Sequence, residues 1–394
     1  MVARVRGIPH RGRSGHRCVR PRPALLHPRP RLVRSQGMRT QVDLLAKSLR
    51  LLRDTQHPSG AFPAAPSYPT YRFCWFRDAS YVAHALDRFD ERDAAARFHR
   101  WAECVVLENG AAIEAAIAAP RGSPRRASAL RARYPLDGAH VADDWPNFQL
   151  DGIATWLVVR LDHARRTGCA LEGDAARAAA LVARYLAAVW DEPNFDAWEE
   201  AGDRRHPSTW GCILAALTAY AAATGSEAAR GGAVAVREAL LSRGVRNGTF
   251  TKHEGVDEVD ANLLFLAVPH AVVPLAGSVF ARTLARIEFE LLDEGLHRYR
   301  RDTFYGGGAW VVLTGLLGWC YTHLARRPEA RRCLEWMAAQ ADAEGNLPEQ
   351  VPTKAYAPAM LPVWERRWGP VATPLLWSHA MYLILANELG ERAG

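Results

Sequence analysis

Residues 209–223 read TWGCILAALTAYAAA and residues 309–321 read AWVVLTGLLGWCY, and neither run holds a charged side chain. Residues 329–344, EARRCLEWMAAQADAE, are of similar length but carry six. A helix that is apolar on every face is buried, whereas one with a polar stripe lies at the surface. The 3.6-residue period recurs along the chain. It predicts twelve helices, near 40–57, 77–90, 92–117, 147–167, 173–190, 207–224, 226–243, 258–268, 276–293, 307–325, 328–343 and 373–389. Gly225, Pro328 and Gly390 supply stop and start signals between them. The even-numbered members are the more apolar ones. Such alternation predicts an all-α fold in which six inner and six outer helices close into a double ring. The inner helices then point their N-terminal ends, all from one side, into a central funnel.

Charge is distributed unevenly along the 394 residues, whose formal net charge is +8. Residues 1–39 hold eleven arginines and no acid, leaving 39 basic and 42 acidic side chains, a net −3, in the rest. The Arg/Pro-rich leader, residues 1–38, has no apolar periodicity and is expected to be disordered, with translation starting near Met38. Residues 39–394 form one catalytic-size domain. Neither a nucleic-acid nor a membrane partner is expected, because the body lacks a basic funnel and no stretch reaches about 18 apolar residues. Seven cysteines without C-x-x-C spacing predict no disulfide framework or structural zinc, and a cytoplasmic protein. Cys74, amid aromatic residues, reads as packing.

If the double ring is right, unusual chemistry should gather just before the inner helices, and it does. The six loops contain Trp75-Phe76-Arg77-Asp78, the run from Asp143 to Gly152, Asp196 to Glu200, His253 to Asp260, Arg298 to Gly308, and Asn346 to Gln350 followed by Trp377-Ser378-His379. Trp75, Trp145, Trp198, Trp310, Trp364, Trp368 and Trp377 stand in or beside them. Flat rings with a polar N–H, interleaved with carboxylates and guanidinium groups, suit a sugar, which offers C–H faces to stack and hydroxyls to bond. Taken singly, some of these residues have plainer readings. Arg77-Asp78 could cap a helix, Glu199-Glu200 could be a solvated helix start, and Gly306-Gly307-Gly308 a flexible entry to a helix. His253-Glu254 lacks the second histidine of a zinc motif, so neither a metal nor a cofactor is expected.

In order along the chain stand W-x-R-D at 75–78, W-x-x-x-Q-x-D-G at 145–152, W-E-E at 198–200, R-Y-x-x-D-T-x-Y at 298–305, L-P-E-Q at 347–350 and W-S-H-A at 377–380. Together they resemble glycoside hydrolase family 15, the glucoamylase family, over about residues 40–390. That resemblance implies an (α/α)6 toroid and an exo-acting, inverting α-glucosidase that releases β-D-glucose from the non-reducing end. An inverting hydrolase needs one carboxylic acid to protonate the leaving oxygen and a second to activate water, roughly 6.5 to 9.5 Å away. The resemblance implies Glu199 as general acid, with Trp198 as an apolar wall keeping it protonated, and Glu349 as general base, staying ionised. It likewise implies Arg77 and Asp78 as holders of the terminal glucose, Trp145 and Glu200 as contacts of the terminal and next subsites, Arg298 near the cleavage point, Trp377 on the pocket wall, and Trp75 and Trp198 as further substrate-binding residues. Gln149 and Asp151 either support these groups from behind or merely start a helix. His379 is expected to fix the last loop.

The chain has no room for the β-sandwich of many bacterial relatives or the starch-binding module of fungal ones. Residues 201–212, AGDRRHPSTWGC, and Arg301 also depart from the family pattern. A short α-glucoside is therefore expected, isomaltose or isomalto-oligosaccharides before maltose or trehalose. A non-catalytic carbohydrate-binding toroid is the competing class. The clustered aspartates of a terpene cyclase are missing at 257–260.

Overall fold

The computed structural model describes residues 36–141 and 143–391, with side chains from Leu44 onward, so the predicted leader up to residue 35 lies outside the described residues. The chain folds into helices α1 (Gln36–Asp54), α2 (Phe76–Arg88), α3 (Arg92–Glu108), α4 (Gly110–Ala118), α5 (Pro124–Ala127), α6 (Leu150–Thr167), α7 (Gly173–Val189), α8 (Pro207–Thr224), α9 (Glu227–Arg243), α10 (Ser278–Leu291), α11 (Val311–His323), α12 (Arg327–Ala339), α13 (Leu361–Trp368) and α14 (Leu376–Glu388). The packing order closes the inner ring: α2 against α6, α6 against α8, α8 against the 3-10 turn Ala261–Leu266, that turn against α11, α11 against α14, and α14 back against α2. Outside it, α1 packs on α14, α3 on α2, α7 on α6 and α8, α9 on α8, α10 on the 3-10 turn and α12 on α11. The double ring is therefore present. Every residue of α11 from Val311 to Tyr321 is buried, whereas α12 buries only Ala330, Cys333, Leu334 and Met337.

Two predicted elements need correction and one helix is additional. The inner element expected at 258–268 is a single six-residue 3-10 turn, not an α-helix. Pro269 lacks a backbone N–H and would clash with the carbonyl four residues back, so the segment cannot extend. The expected helix 92–117 breaks at Asn109, whose Nδ2 bonds to the Val105 carbonyl at 2.8 Å and begins the separate α4. Helix α13 was not foreseen, because its eight residues include no buried one and so show no core-facing stripe. Gly225, at φ 74°, ends α8 as expected, a left-handed position that glycine takes without strain.

Short ladders brace the loops at the N-terminal ends of the inner helices. Strand β1 (Cys74–Trp75) pairs antiparallel with β2 (Arg133–Tyr134) just before α2. Strands β3 (Val245–Arg246) and β4 (Thr249–Phe250) form a small hairpin. A three-stranded sheet joins β5 (Leu296–His297), β6 (Ala309–Trp310) and β7 (Gln350–Val351), with β6 in the middle. Gly308 enters this sheet so closely that a Cβ would lie 2.1 Å from the Val351 carbonyl oxygen, so only glycine fits.

Candidate active site

A cavity of about 560 Å³ opens at the N-terminal ends of the inner helices, within the range of small-molecule sites. All seven tryptophans named above line it. Every candidate residue, Trp75, Arg77, Asp78, Trp145, Trp198, Glu199, Glu200, Arg298, Glu349 and Trp377, lies on its wall. Of the six predicted mouths, one fails to reach it. Residues 253–260 contribute no wall residue; Asp260 stands behind Trp198 instead.

Glu199 sits on a tight turn built by Asp196. The Asp196 carboxylate accepts from the backbone N–H of Trp198 at 2.9 Å and of Glu200 at 3.0 Å, and its carbonyl accepts from the Glu199 N–H at 2.9 Å. Glu199 itself is held at φ 68°, a left-handed conformation that is costly for a side chain with a Cβ. Its Oε1 accepts from the Trp75 indole N–H at 2.7 Å and from Gln149 Nε2 at 3.0 Å. Trp198 lines the same cavity, but its own N–H points to Asp260 and its ring lies 5.4 Å from that of Trp310, while the groups gripping Glu199 are Trp75 and Gln149.

Glu349 comes from the opposite end of the sequence. Its N–H bonds to the Ala372 carbonyl, and its carbonyl accepts from Val311 N–H, which pins the residue between β7 and the start of α11. Burial pushes its carboxyl up to about 8, against the pull of Arg298 and a hydrogen bond with Tyr71, and Asp78 and Glu199 add repulsion. A buried carboxyl among like charges resists ionisation, so the ionised form that a general base needs is disfavoured in the resting protein. Tyr71, absent from the sequence-derived site, also lines the cavity. A lone tyrosine four residues before Trp75 gave no signal of its own.

Arg77 and Asp78 open α2 and are buried. Arg77 Nη1 donates to Gln149 Oε1 and to Asp151 Oδ2, both at 3.0 Å, so Gln149 and Asp151 are support from behind and not simply a helix start. Gln149 bridges Arg77 to Glu199. Burial raises the Asp78 carboxyl to about 6, opposed by Arg77 and assisted by Glu199. The guanidinium of Arg77 lies 5.4 Å over Trp377, whose ring stacks on Tyr81.

On the other side, Arg298 Nε donates to Asp302 Oδ2 at 2.7 Å and Nη2 to Glu200 Oε1 at 3.2 Å, inside a cage of Trp198, Tyr299, Phe304 and Trp310 rings. Tyr299 donates its hydroxyl to Glu200 Oε2 at 2.5 Å. Above these, Trp364, Arg367 and Trp368 of α13 form part of the wall, and Trp368 stacks on Trp145 at 6.1 Å between ring centres. Arg133 backs the same tryptophan at 3.6 Å and is ion-paired with Asp143. Trp145, Trp310 and Trp377 have buried indole N–H groups, and Glu349 a buried Oε2, with no hydrogen-bond partner among the described residues.

His379 is buried and accepts from the Leu347 N–H at 2.9 Å, fixing the loop that carries Glu349, as expected. Cys74 is buried in the core. Among the described residues, Asp87, His99 and His163 are grouped closely enough to consider a metal. The Asp87 carboxylate lies 2.9 Å from His163 Nδ1, a hydrogen-bond distance, and the group sits toward the far ends of α2 and α6 from the cavity.

Comparison with known proteins bears on this geometry. The family model of Glycosyl hydrolases family 15 matches residues 41–347, stopping just short of Glu349. Isomaltose glucohydrolase of Kribbella flavida is 40% identical over 363 residues, 88% of this chain and 93% of that protein. A solved wild-type glycosidase is 38% identical with a TM-score of 0.86, covering 91% of this chain and 99% of its own, and a glycosidase variant in complex with glucose matches equally well. A bacterial glucoamylase complexed with acarbose, 19% identical with a TM-score of 0.69 over 89% of this chain and 56% of its own, shares the fold.

Proposed function

The chain belongs to Glycosyl hydrolases family 15 and is a glycoside hydrolase, and from that premise we propose an exo-acting, inverting α-glucosidase that releases β-D-glucose from short α-glucosides, isomaltose and isomalto-oligosaccharides first among them. The observation that carries the reading is the pair Glu199 and Glu349, 150 residues apart in sequence, on one cavity whose wall also holds the buried Arg77 and Asp78. Glu199 protonates the leaving glycosidic oxygen while Glu349, once ionised, takes a proton from the attacking water. Arg77 and Asp78 bind hydroxyls of the terminal glucose, with Trp75 and Trp145 beside it. Glu200, Trp198 and Arg298 contact the sugar on the leaving side, and Trp377 closes the wall. The α-1,6 preference is supported by the isomaltose glucohydrolase relative.

Proton NMR in the first minutes of turnover is expected to show β-glucose appearing before mutarotation, and an initial α-anomer would overturn inversion. Across a panel of α-linked disaccharides, kcat/KM is expected to be highest for isomaltose. A maximum on maltose or trehalose would keep the enzyme class and reject the linkage, and no hydrolysis of any member would leave only a binding protein. Residues 39–394 are the catalytic unit in this reading. A chain beginning at Met38 is expected to retain full activity, and loss of activity would assign a role to the leader.

A further inference from the structure

The turn that carries Glu199 is anchored from behind by a buried charge cluster. Lys252, just after β4, is 6% exposed, and its Nζ donates to Asp260 Oδ2 at 2.7 Å. The same ammonium lies 3.6 Å from Asp196 Oδ2 and 3.9 Å from Glu200 Oε2, and 3.3 Å over the ring of Tyr299. Asp196 and Asp260 are both fully buried, and both hold the residue before Glu199. Asp196 accepts the backbone N–H of Trp198, and Asp260 accepts its indole N–H at 3.0 Å. The chain uses arginine for 47 of its 50 basic side chains, yet a lysine stands here. A compact ammonium with three donors fits between two carboxylates from different loops, where a planar guanidinium fork does not.

The geometry points to Lys252 as a positioning residue for the general acid, a role that rests on the reading of Glu199 above. Without the ammonium, two buried carboxylates would face each other uncompensated, and their hold on Trp198 would slacken. The turn that keeps Glu199 at positive φ would then relax, and the acid would lose its alignment with the leaving oxygen. The terminal-glucose end of the cavity, built on Arg77, Asp78 and Asp151, shares no hydrogen bond with Lys252, which meets the leaving side through Glu200 and the Tyr299 ring.

The test compares a leaving group that needs a proton with one that does not. Lys252→Met is expected to lower kcat on isomaltose by about 10²-fold with KM changed by less than about 3-fold, and kcat on α-D-glucosyl fluoride by less than about 5-fold. Equal loss on both substrates, or no loss on isomaltose, would overturn the positioning role. Should Lys252→Met fail to fold, Lys252→Arg, which keeps the positive charge but not the compact ammonium between the two carboxylates, is expected to give the same contrast to a smaller degree, and its absence there counts equally against the proposal. Glu199→Gln measured alongside separates the two levels. If Glu199→Gln itself does not spare the fluoride, the acid assignment is wrong; if it does and Lys252→Met does not, only the lysine's role is.

Discussion

Glu349→Gln is expected to lose about 10³-fold in kcat while melting roughly 3–6 °C above the unsubstituted protein at pH 8. The two effects have one origin. The cavity buries this carboxyl near Asp78 and Glu199 and raises it from the usual 4.5 to about 8, with Arg298 and the Tyr71 hydroxyl acting in the other direction. A carboxyl whose folded value lies above its unfolded value stabilises the fold fully below the unfolded value, and that stability is lost as pH rises through the folded one. The unsubstituted protein therefore weakens between about pH 4.5 and 8, and glutamine, never ionising, escapes that loss. The melting difference should be small at pH 4 and largest at pH 8. A difference that does not vary with pH would mean that Glu349 is not the strained group, and near-normal turnover would remove it as the base. The same shift predicts that kcat/KM rises with pH through the neutral range, because free enzyme must ionise Glu349 before it can activate water.

The repeat of apolar and striped helices made the closed ring legible, since the inner helices must be apolar on all faces and the outer ones cannot be. The same logic failed where an inner element is not a helix at all. In 261–266 apolar residues fill the inner position as well as a helix would, and only Pro269 betrays the short turn. The site was legible because its tryptophans and carboxylates stand where a core does not need them. Tyr71, Arg133 and Phe304 escaped notice, since an aromatic or an arginine near a two-residue strand has no periodicity to violate. Helix α13 escaped for the converse reason: its Trp364 and Trp368 face a cavity and not a core, so no stripe marks it. Least legible was protonation. The sequence pairs an acid with a base, but which carboxyl holds a proton depends on burial and on neighbours such as Asp78, brought in from more than 250 residues away.

Glu199→Gln is expected to lower kcat on isomaltose by about 10³-fold while the protein still folds. Glutamine can occupy the same turn, because Asp196 holds it through backbone N–H groups and not through the side chain. Its amide oxygen can still accept from the Trp75 indole and Gln149, which meet a single oxygen of Glu199. What glutamine cannot do is deliver a proton to an alkoxide leaving group. A sugar hydroxyl is a poor leaving group without one, whereas fluoride departs as a stable anion, so the loss should shrink to less than about 10-fold on α-D-glucosyl fluoride. The leaving-group dependence then belongs to Glu199, and loss on both substrates to Glu349. If the two signatures exchange places, with Glu349→Gln sparing the fluoride and Glu199→Gln losing both substrates, acid and base must be reassigned, and the turn built by Asp196 would be holding the group that activates water.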